Sequence, residues 1–469
     1  MLFQPKRNMS TRGERMELPK PLRLAKEADL VGEPCPPNLL RWLATIPSRV
    51  IEILDLLAEH NHGAWLVGGC VRDAWFGDDV GDIDICSTCP PEEMMRLFGS
   101  DAIPTGVDFG TVTIKGDGEH FEVTTLRSES QYRDGRRPER VDWGTSLKED
   151  LSRRDFTINS MAVDVARGLL YDPYDGKADM EASTIRAVGN AKLRCEEDAL
   201  RILRAYRFLE RGTGQRWNMT AALEEAIRLH RKRLDMVAVE RRWNEVRKIL
   251  LGAGAGGILH KMMVDGVLKY IFPHCHFISP FIFDALDHQE LKDLTVPQRL
   301  SLLLVEYKTK EVFEALKFLK TSRDLIQNTS RFHERLSHLP NTMTGELRVF
   351  RYCLENDALA HLAVRKLLSN TEVTIHGLPQ AKNDDIDNLI EMWNTLQAPK
   401  APPQCLVDGH WIMARSGVSQ GIRLGRLKDW LHRIQIEKDI DERSKLEHEL
   451  SLLPFSHGGH EHWPKLEFP

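Results

Sequence analysis

Between Leu66 and Thr88 the stretch LVGGCVRDAWFGDDVGDIDICST brings a glycine pair, an arginine and paired aspartates close together. Asp82 and Asp84 flank a single isoleucine. In an extended strand residues i and i+2 share a face, so the two carboxylates project together. Carboxylates held side by side raise one another's pKa unless a cation lies between them. Hard oxygen donors favour Mg²⁺, which keeps waters and shares its remaining positions with substrate phosphates. Upstream, Gly68 and Gly69 follow the apolar run WLV and precede the helical pattern that carries Arg72 and Asp73. Such a turn presents backbone N–H groups to an anion, and Arg72 adds a forked donor. A third carboxylate is expected from a neighbouring strand, with Glu122 in HFEVTTLR as the candidate. The set points to a divalent cation held against the phosphates of a substrate.

The elements that must position these groups follow from pattern. Up to about residue 186, AWLVGG, DIDIC, GTVTIKG and HFEVTTL read as strands bounded by Gly and Asp. VRDAWFG and PEEMMRLFG read as helices, the second opening after Pro90-Pro91 and closing at Gly99. From about 187 onward the strand signals nearly vanish, and apolar residues recur at helical spacing with Gly or Pro stops. No fixed-period repeat is present. The expected fold class is α+β: a mixed-sheet head followed by an all-α neck, body and tail. The expected boundaries are an N-terminal extension 1–47, head 48–186, neck 187–255, body 256–395 and tail 396–469, with LQAPKAPPQC (396–405) as the clearest linker.

Bulk properties narrow the class. The 469 residues are 42% hydrophobic and 28% charged, ordinary values for a globular chain with several domains. No apolar run reaches the ~18 residues of a membrane span. The seven Lys/Arg up to Lys26 are interrupted by Glu14 and Glu17, and this segment reads as a disordered extension rather than a transit peptide. Eight scattered cysteines suit a reducing compartment. Cys86 and Cys89 form a lone C-x-x-C and read as structural residues; His457, His460 and His462 read as a solvated tail. Net charge is −5, yet residues 191–250 carry fifteen Lys/Arg against nine Asp/Glu, a local +6 within a chain otherwise at −11. A basic segment in an acidic protein predicts a localised phosphate-binding face.

With these residues in place, the chain resembles the class II tRNA nucleotidyltransferases, the family of CCA-adding enzymes and poly(A) polymerases within the polymerase β-like nucleotidyltransferase superfamily. The resemblance rests on GGCVRD followed by DID, on LSRRDFTINSMAVD (151–164), YDPYDGKADM, EEDALRILRAYRF and VERRWNEVRKIL, and more loosely on the segment from Leu406 to Gln435. Met180 stands where leucine is usual, and Arg242 where an apolar residue is usual. The resemblance implies catalysis by Asp82, Asp84 and Glu122, with Asp82 and Asp84 as Mg²⁺ ligands. It implies nucleotide binding by Gly68, Gly69, Arg72, Asp73, Arg154, Asp155, Asn159, Glu197, Asp198, Arg201, Arg204 and Arg207, with Arg153 near the triphosphate. The implied partners are CTP, ATP and the acceptor arm and elbow of tRNA, in the cytoplasm, without a membrane.

The implied selection of C and A by side chains can be checked against base chemistry. Asp198 and Arg201 are i and i+3 on the expected neck helix and therefore neighbours. Cytosine and adenine each present an amine donor beside a ring-nitrogen acceptor, which a carboxylate and a guanidinium match. Uracil and guanine present the reverse order. Arg204 is expected near this pair and Arg207 further round, towards phosphate or helix packing. The expected reaction is addition of CCA to a tRNA 3′ end. Alternatives are A-only or CC-only addition, poly(A) synthesis, or an inactive tRNA-binding scaffold. The full-length stretch from Ser128 to Asp150, implied to remodel the site for the last A, argues against CC-only addition. No H-D phosphohydrolase motif appears, so no hydrolytic activity is expected.

Overall fold

The apolar run Ala64–Val67 is buried at every position and becomes a central strand of the first half of the chain. The computed structural model describes residues 22–107, 110–116, 118–132, 138–210, 217–378, 383–455 and 459–468, with side chains outside 128–142 and 383–384. It divides into two compact units. One takes the chain to Leu209 together with Arg216–Val237; the other takes Glu210–Gln215 and everything from Ala238.

In the first unit the strands of the main sheet and of a separate hairpin are β1 (Glu33–Pro34), β2 (Ala64–Val67), β3 (Asp84–Ser87), β4 (Ala102–Gly106), β5 (Thr111–Lys115), β6 (His120–Thr125), β7 (Arg127–Tyr132), β8 (Pro138–Trp143), β9 (Ala162–Asp164) and β10 (Leu169–Tyr171). Eight of them form one sheet in the order β1-β10-β9-β2-β3-β6-β5-β4, while β7 and β8 pair separately. In that sheet β3 and β6 run parallel and the other neighbours antiparallel. The sheet is mixed, as the expected fold class has it. Helices α1 (Pro37–Leu43), α2 (Ser48–Glu59), α3 (Gly69–Phe76), α4 (Pro91–Phe98), α5 (Leu147–Ser152), α6 (Gly176–Glu181), α7 (Ala191–Glu197) and α8 (Leu200–Arg207) complete its framework.

Local chemistry explains two of the helices packed on the sheet, α2 against β2 and α4 against β4 and β5. α2 turns Val50, Ile51, Ile53, Leu54 and Leu57 inward and keeps its charged residues out. α4 has Pro91 in its first turn with Glu92 and Glu93, and Arg96 in its last turn, so its charges oppose the helix dipole. The head core gathers Trp65, Val67, Cys86, Leu126, Leu147, Leu151, Ala162 and Tyr171.

Three expectations need correction. Residues 22–26, read as part of a disordered leader, are tied down: the Arg23 amide donates to Asp55 (3.0 Å), its guanidinium pairs with Glu59 (2.9 Å), and Arg167 donates to the Ala25 carbonyl (2.7 Å). Glu33–Pro34 then adds an edge strand, a position that tolerates proline. DIDIC is only partly a strand, because β3 begins at Asp84 and Asp82 lies exposed before it. Ile83 between them is buried, so the alternation survives without ladder hydrogen bonds. The proline-rich stretch 396–405 is no loose linker: Gln435, fully buried, donates to the carbonyls of Pro402 and Gln404 (2.9 Å each) and accepts from the Leu406 amide (2.9 Å).

The second unit is a succession of helices from Val239–Leu250 to Arg443–Leu452. Its terminal part packs Trp411, Ile412, Leu427, Leu431 and Leu446 into a core of its own. Arg242, out of place by family pattern, is buried; it donates to the Tyr270 carbonyl and lies 5.5 Å over the Phe318 ring. Among the described residues no helix is long and apolar enough to cross a membrane.

Candidate active site

Gly68 sets the geometry. It has φ +80°, ψ −128°, between the end of β2 and the start of α3, and a side chain there would be strained. A Cβ at this position would also meet the Arg154 guanidinium at 2.9 Å. Gly69 has more room, its nearest neighbour being Arg72 at 3.7 Å, so its smallness serves what approaches from outside. Beside this turn opens a cavity of about 520 Å³ lined by Gly68, Gly69, Arg72, Asp84, Glu122, Arg127, Arg153, Arg154, Asp155, Asn159, Arg201, Arg204, Arg207 and Phe208, with apolar and threonine positions of β2, β3, β5 and β6. Seven arginines against three carboxylates make the cavity strongly cationic, suited to a polyanion.

The acidic corner is built by strand register. Asp84 opens β3, and its partner across the parallel β3–β6 pair is Glu122. Burial pushes the Asp84 carboxyl up, Arg154 draws it back, and the charges of Glu122 and Asp82 push it up again. The three carboxylates do not all converge within 4.8 Å of one another. Asp82 borders a neighbouring cavity of about 740 Å³ with Arg41, Asp78, Asp79 and His120. An all-oxygen donor set, Asp84 with Glu122 across the strand pair, fits a hard divalent cation.

Second comes the arginine wall. Arg72 donates to Asn159 (2.5 Å) and to Asp73 (2.9 Å). Asn159 donates to Asp155 (3.0 Å), and Asp155 takes the Arg204 guanidinium at 2.6 Å. Although burial alone would raise it, Arg204, Asn159 and the Phe156 amide bring the buried Asp155 carboxyl down to about 2. Its ion pair therefore supports the fold fully above the ordinary carboxylate range and is lost as pH falls towards 2. Arg153 and Arg154 both engage the buried Asp150, Arg154 at 3.4 Å. The Arg154 Nε is buried without a hydrogen-bond partner. The connector YDPYDGKADM stiffens this wall from behind: Asp179 accepts from Thr157 (2.6 Å) and Arg186 (2.8 Å), and a Cβ on Gly176 would collide with the Thr157 carbonyl at 2.3 Å.

The neck departs from expectation. The helix is broken at Asp198, which is extended (φ −142°, ψ 105°) between α7 and α8 and accepts from the Leu200 amide (2.9 Å). A short carboxylate that competes for backbone N–H groups explains the break. Arg201 therefore pairs with Glu197 (2.9 Å) and donates to the carbonyls of Arg194 (3.1 Å) and Arg153 (2.8 Å). Arg201, Arg204 and Arg207 line the cavity, whereas Glu197, Asp198 and Asp73 are not among its lining residues. Arg204, expected near the Asp198–Arg201 pair, lines the same cavity as Arg201 and is anchored on Asp155.

Sequence reasoning missed Phe208. Its ring receives three guanidiniums, Arg207 at 4.1 Å, Arg72 at 5.0 Å and Arg204 at 5.6 Å, and it sits edge-on to Phe156 at 5.7 Å. Only its place at the end of the arginine steps hinted at this. Each cation–π contact contributes ~0.5–1 kcal/mol. Phe208→Leu, which keeps most of the apolar volume, is expected to lower kcat/KM roughly 5- to 30-fold for every accepted nucleotide, about 1–2 kcal/mol. Steady-state kinetics beside a thermal melt check this, and unchanged kinetics would reduce the ring to filler.

Comparisons with known proteins agree with this geometry. Residues 64–186 match the family model described as the poly A polymerase head domain, and residues 218–278 the one described as a probable RNA and SrmB-binding site of polymerase A. A CCA-adding enzyme of Leuconostoc citreum is 30% identical over 420 residues, 88% of this chain and 98% of that protein. One from Pediococcus pentosaceus is 36% identical over 301 residues, 64% of this chain and 74% of that protein. Among solved structures, the Bacillus stearothermophilus CCA-adding enzyme in complex with CTP is 25% identical with a TM-score of 0.69, covering 86% of this chain and 96% of that one. The Thermotoga maritima CCA-adding enzyme complexed with tRNA shares the fold at 20% identity and a TM-score of 0.61, covering 90% and 99%.

Proposed function

This chain belongs to the family of CCA-adding enzymes, and from that premise we infer that it is a template-independent nucleotidyltransferase extending tRNA 3′ ends with C, C and A from CTP and ATP. The observation that carries the reading is the Asp84–Glu122 pair beside a glycine turn within an arginine-lined cavity. In this reading a tRNA 3′-hydroxyl attacks the α-phosphorus of the nucleotide and pyrophosphate leaves.

Asp82 and Asp84 would hold Mg²⁺, two ions in the full mechanism, with Glu122 as the third carboxylate. When bound, the cation supplies Lewis acidity for the attacking hydroxyl and neutralises charge on the leaving phosphates. The chain's own groups do the rest. The N–H groups at the Gly68 turn, with Arg72 and Arg154, hold the triphosphate, and Phe208 keeps Arg72 aligned with the neck arginines. Arg201 and Asp198 read the amine and ring nitrogen shared by cytosine and adenine. Arg204 fixes the neck to the head through Asp155. The helical second unit supplies surface for the acceptor arm and elbow, where A-form RNA is read by shape and phosphates. The eight cysteines are free thiols, consistent with work in the cytoplasm.

The test offers the protein three tRNAs, ending at the discriminator base, at C and at CC, with CTP and ATP supplied separately. Two C additions on the first and one A on the last are expected. Extension of the CC end alone would make this an A-adding enzyme; C addition that stops at CC would make it a CC-adding one. The stretch between Ser128 and Asp150, on which that distinction rests by family analogy, includes residues 133–137, outside the described residues.

A further inference from the structure

We propose that His62, Cys89 and Glu93 form a binding site for a borderline-soft divalent cation of the Zn²⁺ class, at the far end of the strand that carries Asp84. The lone C-x-x-C divides in the structure. Cys86 packs among Trp65, Val67 and Leu126 in the core, whereas Cys89 joins His62 and Glu93, with one ligand atom of each within 4.8 Å of the others. None of the three lines the nucleotide cavity.

The donors are held by their neighbours. The Gly63 amide donates to Thr88 Oγ1 (2.9 Å), and the Thr88 amide donates back to the Gly63 carbonyl (2.9 Å). Ser87 donates to the same carbonyl (2.8 Å), and Thr125 donates to the Cys89 carbonyl (2.7 Å). His62 and Cys89 each adjoin a member of this clamp. Glu93, in the first turn of α4, presents one oxygen to His62 Nε2 (3.1 Å) while its other oxygen accepts from Arg96 (3.1 Å). Arg96 thus orients the carboxylate in the manner of the outer partners that tune metal ligands.

The chemistry fits. One nitrogen, one sulfur and one oxygen donor leave a fourth tetrahedral position for water, and thiolate plus carboxylate neutralise a dication. Zinc bond lengths put tetrahedral ligands roughly 3.3–3.8 Å apart; His62 and Glu93 already approach to 3.1 Å, and Cys89, within 4.8 Å of both, has at most about 1 Å to close. Burial, with Glu93 adding to it, pushes the Cys89 thiol up to about 12. The cation must therefore displace a proton, and binding strengthens as pH rises. Bound there, it would tie the turn after α2, the end of β3 and the start of α4 together.

The experiment titrates Co²⁺, as a spectroscopic substitute for Zn²⁺, into the full chain with Mg²⁺ saturating. One equivalent giving a thiolate-to-cobalt charge-transfer band with tetrahedral d–d absorption is expected. Cys89→Ser should abolish the band, and His62→Gln or Glu93→Gln should weaken affinity by at least ~10-fold. Cys405→Ser, at a half-buried thiol elsewhere, should leave the band unchanged. Zn²⁺ should raise the melting temperature of the wild type and not that of His62→Gln, which keeps the test decisive should Cys89→Ser fail to fold. Absence of the band in the wild type, or its persistence in Cys89→Ser at full strength, overturns the site. So does equal stabilisation of His62→Gln by Zn²⁺.

Discussion

Asp84→Asn is expected to lose incorporation of both nucleotides by at least ~10³-fold, about 4 kcal/mol of barrier, while tRNA affinity stays near that of the wild type. The substitution preserves volume and removes charge at the residue where β3 meets the cavity. Asp82→Ala should follow it, since in the proposed mechanism both serve the cation and neither serves the RNA grip. Retention of more than about a tenth of wild-type kcat by either variant would refute the metal assignment. A pH profile adds a second readout. Burial raises Asp84, so this carboxylate takes a proton at higher pH than an ordinary aspartate, and activity should fall as pH drops through that point. Cation and proton compete for the same oxygens. More Mg²⁺ should therefore shift the acid limb to lower pH.

For the recognition pair, Asp198→Ala and Arg201→Ala are each expected to weaken CTP and ATP use by roughly 30- to 1000-fold in kcat/KM, ~2–4 kcal/mol. Exclusion of UTP and GTP should fall as well, because in the proposed reading the pair would reject them by setting like groups against each other. Strong non-additivity in the double variant would show that the residues hold one base edge together. The structure refines the design. Asp198 also accepts from the Leu200 amide at the start of α8, so its alanine variant forfeits ~1 kcal/mol of hydrogen bonding unrelated to the base. Asp198→Asn retains an acceptor for that amide while adding an amine where an acceptor is needed, and isolates recognition from that hydrogen bond. Arg201 is gripped by Glu197 and two carbonyls, which fixes its fork in place. If UTP stays excluded in both single variants as in the wild type, selectivity resides elsewhere.

Much of this site was legible before the fold was known, and the reasons are local. A glycine at positive φ between strand and helix, a D-x-D alternating about a buried isoleucine, and arginines at three-residue steps all follow from neighbouring residues. The partnership of Glu122 with Asp84 was reachable as well, as the acid on the next good strand. What stayed hidden depends on packing between distant segments. No spacing rule brings Arg72 to a ring at Phe208, or His62 to a thiol at Cys89. The break at Asp198 was missed because helical periodicity in EEDALRILRAYRF runs straight through it, and one side chain's hydrogen bond decides the matter. Edge strands such as Glu33–Pro34 and Ala102–Gly106 carry proline or glycine and give no strand signal of their own.

The parallel pairing of β3 with β6 also bears on how the molecule comes into being. The hairpin of β5 and β6 and the glycine turn can each form from neighbouring residues. The carboxylates cannot meet that way, because a parallel pair requires the chain to cross over through α4 and return. Asp84 and Glu122 therefore come into register only when a long loop has closed, and a one-residue slip would turn Glu122 to the opposite face. A partly folded chain would carry the phosphate-cradling turn without the acidic corner. In the proposed mechanism such a chain would turn over no nucleotide, so turnover would itself report that the head has finished folding.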